Sequence, residues 1–171
     1  MNLPIYIIDT CSLITPFKEY YSFDLAQNFW NNMKYHIENG NIAILDLVKN
    51  EIMYGSDGLS SWFTNINYGL YIKRSEPAIL LAYKDILQEL QSNKCYKSSA
   101  LKEWANGKIA DPWIIAAAVA HKLRIVTFET SNKNLNQTNP SRRAKIPDVA
   151  KTFNVDCCTL FDMMRVLGLK A

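Results

Sequence analysis

Short apolar runs alternate with longer stretches of helical periodicity along the chain, and this alternation confines it to α/β folds built on a mainly parallel sheet. Ile5–Ile8, Ile42–Leu45, Arg124–Phe128 and Val155–Cys158 read as strands. Phe23–Ile37 reads as a helix capped by Ser22 or Asp24 and stopped by Gly40, with Phe29, Trp30, Met33 and Ile37 on one core-facing stripe. Asp46 is placed to cap a helix through Leu47, Val48, Glu51 and Ile52 that Gly55 ends. Ser56 to Ser75 allows a short helix and an edge strand at Leu70–Lys73. Helices follow at Glu76–Leu90, with Pro77 in its first turn, and at Ser98–Trp104. Asp111 and Pro112 open an alanine-rich apolar helix, and Pro147–Phe153 and Leu160–Leu167 supply the last two, Gly168 stopping the second.

No repeat, linker or low-complexity block divides the 171 residues, so residues 1–171 are expected to form a single domain. The longest strongly apolar stretch, Trp113–Ala120, falls far short of the roughly 20 residues that span a bilayer. With no charged segment ahead of an apolar signal core, the expected setting is cytoplasmic and off the membrane. Four cysteines, Cys11, Cys95, Cys157 and Cys158, lack the paired spacing of a zinc site and are expected as reduced thiols. Cys11 has no basic neighbour in sequence to make it nucleophilic and reads as a small buried residue. His36 and His121 each stand near a helix end, where imidazoles serve the last carbonyls more often than a metal. The net charge of +3 leaves no dominant field over the whole surface. Positive charge does gather at Lys122, Arg124, Arg142, Arg143 and Lys145, either as a solvated face or as a phosphate-binding surface.

Four acids stand at the punctuation points of this pattern. Asp9 ends the first apolar run and is followed by Thr10 and Ser12. Glu51 lies within the helix after the second run, Asp111 opens the apolar helix, and Glu129 closes Arg124–Phe128. In an open parallel sheet ligands bind outside the carboxyl ends of the strands, where these side chains would converge. Each has an ordinary explanation when taken alone: Glu51 as a surface helix acid, Asp111 as a helix cap. Together they point to a divalent cation, because Mg2+ and Mn2+ favour oxygen ligands and need only a few carboxylates around an open site. The polar stretch Thr130–Lys145 is long for a connection without structure of its own, which marks it as functional or disordered.

At these residues the sequence resembles the PIN-domain nucleases. YIIDTCSLI carries an Asp after the first strand with small hydroxyl residues behind it. LVKNEI carries the helical Glu, DPWIIAAAVA the helix with the third acid, and IVTFE the strand ending in Thr and an acid. The resemblance covers nearly the whole chain in one order. It implies a three-layer α/β/α sandwich with a mainly parallel central sheet, and an endoribonuclease dependent on Mg2+ or Mn2+. It also implies a kinship with the toxins of toxin–antitoxin pairs. By residue it implies catalytic and metal-binding roles for Asp9, Glu51, Asp111 and Glu129, with Thr10, Ser12 and Thr127 as hydroxyl positioners. Asp148, in KIPDVA, is either a further supporting acid or a first-turn helix acid. Arg142, Arg143 and Lys145 are the candidate RNA contacts. RNA, an antitoxin protein and a second copy of the chain are the implied partners. Two departures stand out: the chain is longer than small toxin members, and the fourth acid is Glu where Asp is frequent.

Two other classes remain open. A noncatalytic relative would use the groove only to bind RNA or protein. A metal-dependent phosphatase would use Asp9 as nucleophile or ligand, but the second Asp expected two positions on in haloacid-dehalogenase-like enzymes is Cys11. A C-x5-R phosphatase would need Arg where Phe17 stands, and neither G-x-G-x-x-G nor a P-loop lysine motif is present.

Overall fold

Five short strands, all parallel, form the centre of the described molecule. The structure, a computed structural model, describes Tyr6 to Lys170, so the reading of Ile5 as a strand residue lies outside the described residues. In chain order the strands are β1 (Tyr6–Ile8), β2 (Ile42–Leu45), β3 (Tyr71–Ile72), β4 (Arg124–Val126) and β5 (Cys157–Cys158), arranged β3-β2-β1-β4-β5. Ile7 pairs with Ala43 on one side and Ile125 on the other, and Val126 pairs with Cys158. Residues on successive positions of β1 and β2 are all buried. Both faces of the sheet must therefore be covered, as expected of a parallel sheet with uninterrupted apolar strands.

The connections supply that cover. β1 leads into α1 (Cys11–Thr15), a π-helical turn (Pro16–Tyr20) and α2 (Gln27–Glu38). Pro16 has no N–H to donate, and the turn widens so that Tyr21 N–H reaches Pro16 O at 2.6 Å. The sequence offers only an irregular link here. The next helix also begins four residues later than its periodicity suggests, because Ser22 O accepts the N–H groups of Leu25 and Ala26 in a separate turn. β2 leads to α3 (Asp46–Tyr54) and α4 (Gly58–Thr64), the latter capped by Asp57 Oδ1, which accepts from Leu59 N and Ser60 N. Between β3 and β4 lie α5 (Pro77–Ser92), α6 (Ser98–Trp104) and α7 (Asp111–His121). Then come α8 (Ile146–Thr152) before β5 and α9 (Leu160–Leu167) after it.

Right-handed crossovers with this strand order send the helices after β1 and β2 to one face and those around β4 to the other. In keeping with this, α7 packs on β1, β4, α5 and α8, while α2 and α3 pack on β2. The apolar stripe of α2 is Phe29, Trp30, Met33 and Ile37, each at most 2% exposed. α7 is buried almost all round, from Pro112 to Ala118, as its uniform Ile and Ala content requires. Tyr83 of α5 stacks on Trp113 of α7 with centroids 3.7 Å apart and 6° between the rings, and its hydroxyl donates to Trp104 O at 3.0 Å. Among the described residues no helix is long and apolar enough to cross a membrane.

Two glycines separate conformational need from steric need. Gly40 ends the α2 turn at φ +73° with nothing within 4 Å of where a Cβ would stand, whereas Gly69, at φ +138°, would set a Cβ only 2.9 Å from Ile37 O. Gly40→Ala should therefore cost about 1 kcal/mol, the left-handed penalty alone. Gly69→Ala should cost clearly more, since the edge leading into β3 must shift. Chemical denaturation of the two variants checks this, and equal losses would contradict it.

Candidate active site

The strand order reverses between β1 and β4, so the crevice outside their carboxyl ends is the natural ligand position. Asp9 is the residue that leaves β1 there. Its N–H still donates to Val126 O at 2.9 Å, which holds it against the end of β4, and it is only 4% exposed. Thr127, the next residue of β4's path, is 2% exposed and donates from Oγ1 to Asp9 Oδ2 at 3.1 Å. The same hydroxyl oxygen accepts the Glu129 N–H at 3.1 Å, so one threonine links the Asp9 carboxylate to the backbone that carries Glu129. Ser12, fully buried, donates to Val126 O at 3.3 Å and ties α1 to β4 without touching a carboxylate. Thr10 Oγ1 donates to Glu51 Oε2 and brings α3 to the end of β1.

Asp111 enters from α7. Of its two readings, helix cap and site acid, the cap is not what the structure contains: Ala110 occupies the capping position, no side chain caps the helix, and Asp111 is the first helical residue. Pro112 explains this, since it needs no hydrogen-bond partner in the first turn and leaves the Asp111 carboxylate unengaged by the backbone. Burial, then repulsion from Asp9, Glu129, Glu51 and Glu103, pushes the Asp111 carboxyl up to about 7. Burial also raises Asp9, to about 6, against the Thr127 hydrogen bond and with added repulsion from Glu129 and Glu51. All four acids thus share one electrostatic neighbourhood.

They do not share it equally. Glu129 is committed to the loop that follows: Lys145 Nζ donates to its Oε1 at 3.1 Å and Ile146 N–H to its Oε2 at 2.8 Å. One carboxylate therefore clamps both ends of the 130–145 segment and caps the start of α8. Asp148 does the same job nearby, its two oxygens accepting the Asn132 N–H at 3.2 and 3.0 Å. The loop is tied at its far side too, where Ser141 N–H donates to Cys95 O and Lys97 N–H to Ser141 O, both at 2.8 Å. Arg142 and Arg143 are exposed, and neither is in an ion pair among the described residues. Lys145 is held by Glu129. Sequence reasoning has no means to find this pairing, because the two residues lie sixteen apart on either side of an irregular segment.

Cys11 departs from its expected burial. It is exposed at the start of α1, and local desolvation with repulsion from Asp9, Asp111, Glu129 and Glu51 pushes its thiol up to about 11, which makes it a poor nucleophile. The histidines stay out of the site: His36 Nδ1 lies 3.0 Å from Asn41 Nδ2, and His121 Nε2 lies 2.8 Å from Glu76 Oε2.

The donor set fits a hard divalent cation in kind. It offers carboxylate and hydroxyl oxygens, Asp9 is buried and Asp111 half-buried, and neither of those two has a cationic partner among the described residues. In arrangement, among the described residues no three Asp, Glu, His or Cys side chains converge tightly enough to grip an ion as they stand. The hydrogen bonds already described account for this, since Thr127, Thr10 and the Lys145–Ile146 pair each draw one acid toward its own anchor. The two raised carboxyls have a consequence for stability. Each binds its proton more tightly in the fold than in the unfolded chain, so without metal their contribution to stability should be full below about pH 4 and be lost as pH rises through about 6 to about 7. Asp111→Asn should flatten that slope and stabilise the metal-free protein at pH 7 by on the order of 2 kcal/mol. Thermal melts across this range in a chelator check it, and an unchanged slope would contradict it.

Comparison with known proteins adds a family and a fold. Curated proteins give no match. Among solved structures, VapBC2 from Rickettsia felis, bound to a DNA fragment from their promoter, is similar at 17% identity and a TM-score of 0.53, over 91% of this chain and 98% of that one. At that identity the likeness supports the α/β architecture with its parallel sheet. The family described as Domain of unknown function (DUF4411) matches residues 6–171, and the chain belongs to it.

Proposed function

We propose that the protein is a divalent-metal-dependent endoribonuclease, a single PIN-like domain over residues 1–171 acting in the cytoplasm as the toxin of a toxin–antitoxin pair. The observation that carries this reading is the pair Asp9 and Asp111: a buried and a half-buried carboxylate at the point where the strand order reverses, each repelled by neighbouring acids and without a cationic partner among the described residues. Folding tolerates such an arrangement at a cost in stability, which a bound cation would offset. The ordered resemblance to PIN-domain nucleases and the likeness in fold to VapBC2 agree with it.

Asp9 and Asp111 are the primary holders of Mg2+ or Mn2+ in this reading, with Glu51 reaching the same crevice on Thr10. Held there, the ion would supply an activated water and charge stabilisation at phosphate oxygens, so no histidine base would be needed. Thr127 fixes the Asp9 carboxylate and Ser12 fixes the backbone beneath it. Glu129 acts first as the clamp of the 130–145 loop, contributing negative charge to the crevice from one side. Asp148 supports the same loop, whose Arg142 and Arg143 stand exposed to meet phosphates. Exposed apolar side chains, among them Leu25, Tyr54 and Tyr68, offer surface for an antitoxin or a second copy of the chain.

A second reading draws on a specific observation. Three of the four acids already have hydrogen-bond partners within the protein, which suits a relative that binds RNA or protein without cutting it. One experiment separates the two: incubation of wild type, Asp9→Asn and Asp111→Asn with single-stranded and structured RNA plus Mn2+. Cleavage by the wild type and a loss of more than roughly 100-fold in each variant, with unchanged circular dichroism, is the expected outcome. RNA bound but uncut by the wild type would favour the noncatalytic reading.

A further inference from the structure

Of the four acids, Glu129 alone has a cationic partner among the described residues. Its N–H donates to Thr127 Oγ1 and that hydroxyl donates to Asp9 Oδ2, so the backbone of Glu129 stands two hydrogen bonds from the Asp9 carboxylate. Its side chain is engaged elsewhere. Oε1 accepts from Lys145 Nζ at 3.1 Å and Oε2 accepts the Ile146 N–H at 2.8 Å, so each oxygen already has a donor. Hydrogen bonds to a charged group are among the stronger ones a protein makes. A divalent ion at Oε1 would meet the Lys145 ammonium at contact range, where like charges repel. Turning the carboxylate away from Lys145 would leave the N–H of Ile146, a residue 1% exposed, without its acceptor.

Neither end of this ion pair is free to drift. Glu129 is fixed through Thr127 to the end of β4. Lys145 lies in extended backbone, at φ −123° and ψ 140°, between Ala144 and Ile146, which are 5% and 1% exposed. Its buried neighbours hold the backbone down while its own side chain leaves on the other side. The segment ahead of it is anchored at points that do not involve Glu129: Asp148 takes the Asn132 N–H, and Ser141 is bonded to both Cys95 and Lys97. Lys145 would therefore stay beside Glu129 when an ion enters the crevice. Two-ion phosphodiesterase sites set their metals about 3.5 to 4 Å apart, which requires carboxylates enough for both. With Glu129 held by Lys145, the acids left for metal are Asp9, Asp111 and Glu51.

We propose that Lys145 is a built-in counter-ion that restricts the crevice to a single divalent cation, its ammonium occupying the carboxylate of Glu129 that a second ion would need. This rests on the metal-dependent reading above and goes further, fixing the number of ions and naming the residue that sets it. Lys145 is then a positioning residue of the metal site, and its sequence-based assignment as an RNA contact passes to Arg142 and Arg143 alone. The same pair couples the site to the 130–145 loop, since the charge that limits metal loading is also the bond that holds the loop's end.

The test titrates Mn2+ into the metal-free protein and counts the free ion by electron paramagnetic resonance, which needs neither RNA nor turnover. The wild type should bind one ion per chain. Lys145→Met, which keeps the apolar stem but removes the charge and the donor, should bind a second. Lys145→Arg, which restores a cation to Glu129, should return to one. Glu129→Gln should still bind one ion, with affinity changed by less than about tenfold, because Glu129 is not a ligand of that ion. The last two variants decide the matter even if circular dichroism shows that Lys145→Met does not fold. Two ions on the wild type or on Lys145→Arg, only one on folded Lys145→Met, or a larger loss in Glu129→Gln would each overturn the counter-ion and leave the metal-dependent reading standing. No ion bound by the wild type would overturn both.

Discussion

The hydrogen bond from Asp9 N–H to Val126 O is the contact on which the site depends. It extends the β1–β4 pairing by one residue beyond the strands and so fixes a carboxylate, rather than another apolar side chain, at the mouth of the sheet. Thr127 can then donate to Asp9, and the Glu129 N–H can donate to Thr127, in one short relay across the reversal point. Everything else arrives by helix: Asp111 at the start of α7, and Glu51 on α3 through Thr10.

This arrangement trades stability for charge. Two carboxyls raised by burial and by repulsion from neighbouring acids stand at the strand ends. The remaining acids are satisfied locally, and each local bond pulls its acid slightly out of common reach. The 130–145 loop, clamped by Glu129 at its base and by Cys95 and Lys97 at its far side, is therefore held in place by a residue that also shapes the field of the site. Any movement of that loop would change what Glu129 faces.

Much of the architecture was legible in the residues. Ile42–Leu45, Ser98–Trp104 and Leu160–Leu167 have the bounds their patterns suggest, because length, periodicity and punctuation agree there. The strand pairing order was not legible, since it depends on contacts between segments far apart in the chain. Nor was the helix directly after Asp9, where Thr10, Cys11 and Ser12 resemble a loop and Pro16 suggests an end; it forms because Asp9 O and Thr10 O accept the following N–H groups. Asp111 shows the limit of local chemistry: Asp-Pro before an apolar run is a good capping signal, yet here the helix begins at the Asp and its carboxylate is left for the crevice. The Lys145–Glu129 pair and the Arg74–Asp46 contact were invisible for the opposite reason, both being joined only by tertiary structure.

Burial and neighbouring acids raise the Asp9 and Asp111 carboxyls, so a cation binding there must displace protons, and those protons can be counted. Calorimetric titration of Mn2+ into the protein at about pH 6.5, repeated in buffers of different ionisation enthalpy, reports the protons released per ion bound. Carboxyls raised to about 6 and about 7 should give binding with release of roughly one proton, lost in both Asp9→Asn and Asp111→Asn. Mn2+ binding that releases no proton and survives both substitutions would place the ion elsewhere and contradict it.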